Sequence, residues 1–244
     1  EKAAKKNNCG LFYEASCVGG VPVIRALLDN LQGNKVLSMM GIINGTTNYI
    51  LTKMTDENAS YEDVLKEAQR LGYAEANPTA DVEGFDAAYK LSILSSLAFH
   101  TKIPFSKIYR EGITHITSED IQYGKQLGYS LKLLAIGKNT ADGIEVRVHP
   151  TYIKNTHPLA SVKDSYNAVY ITGDCVEDVM LYGRGAGAMP TASAIVGDVI
   201  YCATHPNFRY STFKNTEEAD PSTKFIDNFK SSYYLRLNAH DRAG

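Results

Sequence analysis

The chain has 244 residues, with 25 basic and 27 acidic side chains, a formal net charge of −2 and 44% hydrophobic residues. This composition is typical of a globular domain and argues against disorder. A charge so close to zero provides no basic surface for nucleic acid or an anionic membrane. The longest uncharged apolar stretch, residues 91–99, is too short to cross a bilayer, and residues 1–8 lack the apolar middle of a secretory signal. We therefore expect a cytoplasmic enzyme or binding domain, with no nucleic-acid or membrane partner.

Neither the cysteines nor the histidines have the spacing of a metal site. The four cysteines lie far apart, at Cys9, Cys17, Cys175 and Cys202. Without an export signal, we expect reduced and mostly buried thiols. The six histidines contain no paired motif, so we interpret them as structural or exposed.

The first part of the chain is predicted to alternate strands and helices. The predicted elements are a strand at 12–15, a turn at 18–22, a helix at 23–31, a strand at 35–43, and helices at 46–54, 60–71 and 85–98. Gly33 suits a left-handed stop for the first helix. Either Thr46 or Thr47 can cap the second helix. Ser60 followed by Asp63 indicates a capping box for the third.

The second part of the chain is predicted to form two hairpins, a helix and a polar tail. Residues 131–137 and 144–148 alternate with period two, and residues 168–172 and 179–182 form a second predicted strand pair. Pro190 opens a helix to about residue 203. Residues 205–230 have linker composition, and a strand is predicted at 233–237. Because a lone strand cannot bury its own face, we interpret that strand as the start of a further domain.

The densest group of ionisable residues lies between residues 75 and 90. Asp86 and Lys90 are four apart and share one face of a helix. Asp81 and Glu83 precede that helix, where its dipole favours carboxylates. Carboxylates stabilise a charged lysine and burial destabilises it, so this group could hold an ammonium-bearing substrate and exchange a proton near neutral pH. The alternative is a solvated helix start with a surface salt bridge.

Two turns could also bind ligands. The glycine-rich turn 184–191 enters a helix, where bare amides can approach a phosphate or carboxylate, although a tight strand-to-helix connection has the same composition. It is not the dinucleotide-binding pattern GxGxxG. The turn 14–21 could offer the Glu14 carboxylate and several carbonyls to a cation.

Residues 68–90 resemble the signature of homoserine dehydrogenases. The agreement covers more than ten positions in twenty-three residues, so a chance match is very improbable. The matching residues are Ala68, Gly72, Tyr73, Ala74, Asn77, Pro78, Asp81, Val82, Gly84, Asp86 and Lys90. Segments 13–22, 41–48 and 185–193 are similar to the family as well, so the resemblance spans about residues 12–203.

The resemblance implies a reaction and a fold. Family members reversibly oxidise L-homoserine to L-aspartate 4-semialdehyde with NAD(P)⁺, in threonine and methionine biosynthesis. The implied fold is α+β, with a mixed, largely antiparallel sheet and helices packed on one face. The two hairpins and the buried strand agree with this fold. Members usually form homodimers through the sheet, so a homodimer is expected.

The resemblance also implies roles for individual residues. Lys90 would transfer the proton at the substrate oxygen, and Asp81 would support the site. The implied substrate-binding residues are Glu75 and Asp86, which would bind the ammonium group, together with Tyr73, Gly45 and Thr46. Gly72 and Gly187 would approach the nicotinamide nucleotide. A monovalent cation such as sodium would be held by the Glu14 carboxylate and the carbonyls of Cys17, Gly19 and Val21.

The chain differs from the family in domain content. Members begin with a Rossmann domain that carries a glycine-rich phosphate loop, and this sequence contains none. The expected division is a remnant of the nucleotide-binding domain at 1–10, the substrate-binding and dimerisation domain at 11–204, a linker at 205–230 and the first strand of a truncated ACT-like domain at 231–244. Alone, the chain is expected to bind NAD(P) very weakly and to be almost inactive. Two alternatives remain: another two-domain dehydrogenase of amino-acid metabolism, or a non-catalytic ligand-sensing or assembly module.

Overall fold

The computed structural model describes residues 2–205 and 220–237, and within them six strands form one sheet. The strands are β1 (Val36–Ile42), β2 (Tyr109–Arg110), β3 (Tyr129–Thr140), β4 (Gly143–Lys154), β5 (Tyr166–Gly173) and β6 (Glu177–Arg184). Their order is β2-β4-β3-β1-β5-β6. All pairs are antiparallel except β2 with β4. The predicted mixed, largely antiparallel sheet and both predicted hairpins are confirmed.

Helices precede, separate and follow these strands. They are α1 (Lys2–Lys6), α2 (Val23–Arg25, which continues as the π-helix Ala26–Asn30), α3 (Gly45–Glu57), α4 (Tyr61–Arg70), α5 (Thr79–Val82), α6 (Phe85–Phe99), α7 (Ser118–Gln126) and α8 (Ala188–Thr204). Short 3₁₀ turns lie at Glu14–Ser16, Phe105–Lys107 and Pro158–Ser161. Ser60 caps α4 as predicted, since its side chain accepts the Asp63 N–H. The predicted caps of α3 are wrong: Asn44, rather than Thr46 or Thr47, accepts the amide at the helix start.

The two faces of the sheet are covered differently. Helices α3, α6 and α7 pack on one face, over core residues such as Leu133 and Val148. The other face has a smaller cluster around Ile42 and Leu134, covered by the turn Pro158–Ser161. This confirms the α+β fold with its helices on one face, and it places the carboxyl end of β1 beside the start of α3.

The predicted strand at 12–15 is wrong, because residues Glu14–Ser16 form a 3₁₀ turn. The Glu14 carboxylate accepts the N–H groups of Ile24 and Arg25, which fixes the turn against α2. The predicted left-handed stop at Gly33 is also wrong, because the Leu31 N–H closes the π-helix on the Ala26 carbonyl. The π-helix therefore supplies its own C-terminal hydrogen bond.

The strand predicted at 233–237 does not form in the part of the chain that the structure describes. Side chains hold this segment to α7 instead: Tyr234 donates to Asp120, and Arg236 pairs with Glu119. A strand needs a partner strand, and here its neighbour is a helix. Residues 206–219 of the predicted linker, and residues 238–244 of the predicted ACT-like domain, lie outside the described residues.

The prediction of mostly buried cysteines is wrong. All four thiols are free, but only that of Cys17 is buried. Cys175 lies in the turn between β5 and β6, and Cys202 lies on the outer face of α8. Among the described residues, no helix combines the length and the apolar character needed to cross a membrane.

Lys132 is a buried lysine in β3, only 5% exposed. Its ammonium donates to the Asn48 side-chain oxygen at 3.3 Å and to the Val162 carbonyl at 2.5 Å. Burial lowers the pKa of Lys132 to about 8. No carboxylate contacts the ammonium among the described groups, so the charged form is less stable in the folded protein than in water.

The contribution of Lys132 to the stability of the folded chain is therefore expected to rise with pH above 8. Between pH 8 and the pKa of an unfolded-chain lysine, roughly 10.4, the unfolded state binds a proton that the native state has released. Relative to Lys132→Met, the wild type should gain up to about 3 kcal/mol across this window. Urea unfolding of both proteins at pH 7 and pH 10 measures the change. Lys154→Met, at an exposed position of β4, should show a constant difference. A constant difference for Lys132→Met as well would mean that the Lys132 amine stays hydrated.

Candidate active site

Lys90 and Asp86 form an ion pair on the first turns of α6. The Lys90 ammonium lies 2.7 Å from an Asp86 carboxylate oxygen, and the two side chains are 21% and 30% exposed. The same ammonium donates to the Ile43 carbonyl at 3.3 Å, just beyond the end of β1. The predicted pairing four residues apart is present, and the amine lies at the protein surface between a helix and a strand end.

Asn44 joins this pair to a second acid. Its side-chain NH₂ donates to Asp81 at 2.7 Å and to Asp86 at 2.8 Å. Its side-chain oxygen accepts the Thr47 N–H and hydroxyl, so the same residue caps α3. Asn44 is only 5% exposed. We call Asn44, Asp81, Asp86 and Lys90 the acid–amine cluster.

Sequence reasoning missed Asn44, although one signal was available. A polar residue that directly follows a buried strand and directly precedes a helix has few reasons to be asparagine other than capping. What could not be read from the sequence was its second role, because its acid partners lie 37 and 42 residues further along the chain.

The loop after α4 borders the cluster less closely than predicted. Tyr73 is 43% exposed, and its ring stacks on Tyr49 at 4.6 Å. The Tyr73 carbonyl accepts the Thr46 hydroxyl at 2.7 Å, which ties the loop to the start of α3. Glu75 is exposed, and in the described part of the chain its carboxylate bonds to none of the cluster side chains. The structure therefore brings Thr46 and Tyr73 together and leaves Glu75 outside.

The start of α3 lies directly beside the cluster. A Cβ on Gly45 would lie 2.9 Å from the Ser165 carbonyl oxygen, so only glycine fits there without a shift. The first amides of a helix have no intrahelical acceptor, and its dipole favours an anion at this end. Chemically, the carboxylates can attract an ammonium group and the helix start can attract a carboxylate, so the arrangement has the charges that a small zwitterion needs.

The two glycine turns pack against each other. The Gly20 N–H donates to the Arg184 carbonyl at 3.0 Å, and a Cβ on Gly19 would collide with the Gly185 carbonyl. Gly185 in turn packs on Asn167, which is 1% exposed and also lies beside Gly45. The turn before α8 is thereby fixed relative to the start of α3.

The two predicted cofactor glycines both have left-handed backbones. Gly72 has φ +78° at the end of α4, and Gly187 has φ +116° at the start of α8. A Cβ on Gly72 would meet no atom within 4 Å, and one on Gly187 would meet only Pro190. Both positions are therefore open toward solvent, which leaves room for a ligand to approach the backbone.

The predicted cation ligands lie in the turn before α2. Each Glu14 carboxylate oxygen accepts one backbone N–H at 2.8 Å, and burial raises the pKa of Glu14. The Val21 carbonyl already accepts the Val23 N–H. Burial raises the pKa of the Cys17 thiol to about 11, so Cys17 would offer its carbonyl rather than a thiolate. Among the described residues, no group of three His, Cys, Asp or Glu side chains could hold a metal ion.

The fold and the cluster define an α+β domain in which two acids, an amide and an amine meet beside the end of β1, and comparison with known proteins identifies its family. The model of the homoserine dehydrogenase family matches residues 22–200. Homoserine dehydrogenase from Bacillus subtilis is 43% identical over 244 residues, which cover 99% of this chain and 56% of that protein. The Neisseria gonorrhoeae enzyme is 45% identical over 247 residues, with 99% and 57% covered. The chain belongs to the homoserine dehydrogenase family and spans about half the length of these curated relatives.

Solved structures agree with this assignment. A homoserine dehydrogenase from Thiobacillus denitrificans superposes with a TM-score of 0.86 at 44% identity, covering 92% of this chain and 53% of that one. A hyperthermophilic archaeal homoserine dehydrogenase mutant, in complex with NADPH, gives a TM-score of 0.72 at 29% identity, with 87% and 60% covered. The resemblance found in the sequence is thereby confirmed.

Proposed function

We propose that this chain provides the substrate-binding and proton-transferring part of a homoserine dehydrogenase. The reaction interconverts L-homoserine and L-aspartate 4-semialdehyde with NAD(P), in the threonine and methionine branches of amino-acid biosynthesis and in the cytoplasm. The observation that carries the proposal is the acid–amine cluster, in which Asn44 holds Asp81 and Asp86 together beside the Lys90 ammonium. The relatives named above support the choice of substrate.

Lys90 would handle the proton of the substrate hydroxyl. Toward homoserine, its ammonium donates a proton to the aldehyde oxygen; toward the aldehyde, the neutral amine removes the hydroxyl proton. Asp86, at 2.7 Å, orients the amine and stabilises its charged form. Asp81 supports the site indirectly, because it accepts a hydrogen bond from the side-chain amide of Asn44. The bound nicotinamide supplies or accepts the hydride.

The amino-acid end of the substrate would be held by opposite charges. Asp86 would bind the ammonium group, together with Glu75 from the loop after α4. The start of α3, at Gly45 and Thr46, faces the carboxylate, and Tyr73 lines the pocket. The contact between Thr46 and the Tyr73 carbonyl supports this placement, since it brings that loop to the helix start.

The cofactor would approach the open glycine turns. Gly187 precedes a helix of 17 residues, whose first amides can face the nicotinamide nucleotide, and Gly72 has no neighbour that a close ligand would displace. The outer face of α8 also supports contact with a second domain. It is apolar yet 51–80% exposed, at Met189, Ile195, Val196, Val199 and Ile200.

Two further proposals follow from the family. A sodium ion would bind the Glu14 carboxylate and the carbonyls of Cys17, Gly19 and Val21, close to the turn that enters α8. A homodimer would bury the sheet face that carries the smaller cluster around Ile42 and Leu134. Half-buried and exposed apolar residues on that face support this, among them Met40, Tyr166, Tyr170, Met180 and Tyr182.

The direct test joins this chain to the nucleotide-binding part of the Bacillus subtilis relative, and we call the product the joined enzyme. We expect NAD(P)-dependent oxidation of L-homoserine by the joined enzyme and almost none by the 244-residue chain alone. 4-Hydroxybutyrate lacks the ammonium group and should be a poor substrate, because the acids then face no charge. Equal rates on 4-hydroxybutyrate and L-homoserine, or no activity on L-homoserine, would contradict the proposal.

A further inference from the structure

The turn between Asp81 and Asp86 is held from outside by a neighbouring arginine. Arg110 donates from its guanidinium to the Glu83 carbonyl. The guanidinium carbon lies 3.6 Å from the centroid of the Phe85 ring, and a guanidinium nitrogen lies 3.9 Å from the Glu83 carboxylate. One side chain therefore contacts the residues on both sides of Gly84, midway between the two acids of the cluster.

The residues after Arg110 pack closely against the same turn. The Ile113 N–H donates to the Val82 carbonyl at 2.8 Å, and the Thr114 hydroxyl donates to the Glu83 carboxylate at 3.1 Å. A Cβ on Gly112 would collide with the Val82 carbonyl. The turn is thus fixed by backbone, hydroxyl and guanidinium contacts that all come from one short segment.

This segment is itself anchored to the sheet. Arg110 belongs to β2, which pairs with β4 at Val148, and the next amide donates to the Val148 carbonyl at 2.8 Å. On the outer side, the Tyr109 ring lies 5.5 Å from that of Phe229. Arg110 therefore connects the turn between α5 and α6 to the edge strand of the sheet.

The acids need such support because they converge on a single nitrogen. Asp81 and Asp86 both accept from the Asn44 amide, at 2.7 and 2.8 Å, so two like charges lie close together. Repulsion between them favours a wider turn, and hydrogen bonds weaken quickly with distance and angle. A small shift of the turn would separate Asp81 from the cluster and loosen the start of α6.

We propose that Arg110 is a positioning residue for the acid–amine cluster, acting through the Glu83–Phe85 turn without touching the substrate. The proposal rests on the proposed function, because it assigns the cluster a role in homoserine turnover. It predicts two separable effects of removing the guanidinium: a looser turn, and a cluster that binds and converts homoserine less well.

The activity arm uses the joined enzyme with Arg110→Met and Arg110→Lys. We expect Arg110→Met to lower kcat/KM for homoserine about 10–100-fold, since small misplacements of catalytic groups have effects of this size. The KM for homoserine should rise while the KM for NAD(P)⁺ stays unchanged, a split that general loss of folded protein does not produce. Arg110→Lys keeps the charge but loses the flat surface that stacks on Phe85. Its kcat/KM for homoserine should therefore lie between those of Arg110→Met and the wild type. Arg236→Met removes ion pairs with Glu119 and Asp120 and a hydrogen bond to Thr117, none of which belongs to the turn, and should leave both constants unchanged.

The structural arm uses the 244-residue chain alone and needs no activity. Amide hydrogen exchange of residues 82–86 should be faster in Arg110→Met than in the wild type, with residues 45–57 unchanged. Faster exchange together with a raised homoserine KM supports the proposal. Unchanged exchange, or faster exchange with unchanged homoserine kinetics, overturns it. A wild-type joined enzyme that is inactive on homoserine overturns the proposed function instead. Faster amide exchange in Arg110→Met would still show, in that case, that Arg110 holds the turn in place.

Discussion

Lys90→Met in the joined enzyme is expected to lower kcat for homoserine by about 10²–10⁴-fold, the usual contribution of a positioned general acid or base. Methionine keeps an unbranched side chain that is one atom shorter, and it removes the amine that exchanges the proton. The substitution removes the ion-pair partner of Asp86 at 2.7 Å but leaves the Asn44 amide that donates to Asp86, so binding of the substrate ammonium should change much less than turnover. Steady-state kinetics with saturating cofactor measures the effect.

Lys53→Met is the matched control. Lys53 makes an ion pair of the same spacing with Glu57 on α3, at 2.6 Å, and its side chain is 26% exposed. Loss of that solvent-screened pair should change stability very little and leave turnover unchanged. If Lys90→Met left turnover unchanged too, the amine would not be the proton donor, and the non-catalytic alternative would gain support.

Local patterns were enough to predict most regular elements. The period-two alternation in residues 131–148 predicted the β3–β4 hairpin, and the apolar run before Asn44 predicted β1. The spacing of Asp86 and Lys90 predicted their contact, because residues four apart on a helix are neighbours whatever the rest of the chain does.

The two wrong strand predictions have a common cause, which is contact with other segments of the chain. Residues 12–15 have strand-like composition, but Glu14 accepts amides ten and eleven residues away and curls the segment into a turn. Residues 233–237 have strand-like alternation, but α7 is their neighbour. Alternation shows which side chains share a face and does not show whether a partner strand is present.

The candidate site, too, could be predicted only in part from local patterns. Lys90 and Asp86 could be paired from sequence, whereas the link from Asp81 to Asp86 through Asn44 depends on β1 ending beside α6, which no local pattern specifies. The density of acids near Lys90 predicted that Glu75 belongs with them, but its side chain is exposed and lies outside the cluster, because the position of the loop after α4 is not set by local spacing.

Asn44 gives the sharpest test of the cluster, because two substitutions separate its two roles. Serine is a good helix cap but cannot reach the acids with two N–H donors, so Asn44→Ser should preserve α3 and break the bridge. Alanine loses both. We expect Asn44→Ala to lower the free energy of unfolding by about 1 kcal/mol more than Asn44→Ser, the usual value of a cap. Urea unfolding of the 244-residue chain measures this difference.

Both variants should lose most homoserine turnover in the joined enzyme, about 10²-fold, because Asp81 and Asp86 then repel each other with no donor between them. Ser60→Ala removes the cap of α4, where the Ser60 hydroxyl accepts the Asp63 N–H, and touches neither acid. It should lower stability by about 1 kcal/mol and leave turnover near the wild-type value. Full activity in Asn44→Ser would show that Asp81 and Asp86 act without the amide between them, and Asn44 would then be a helix cap alone.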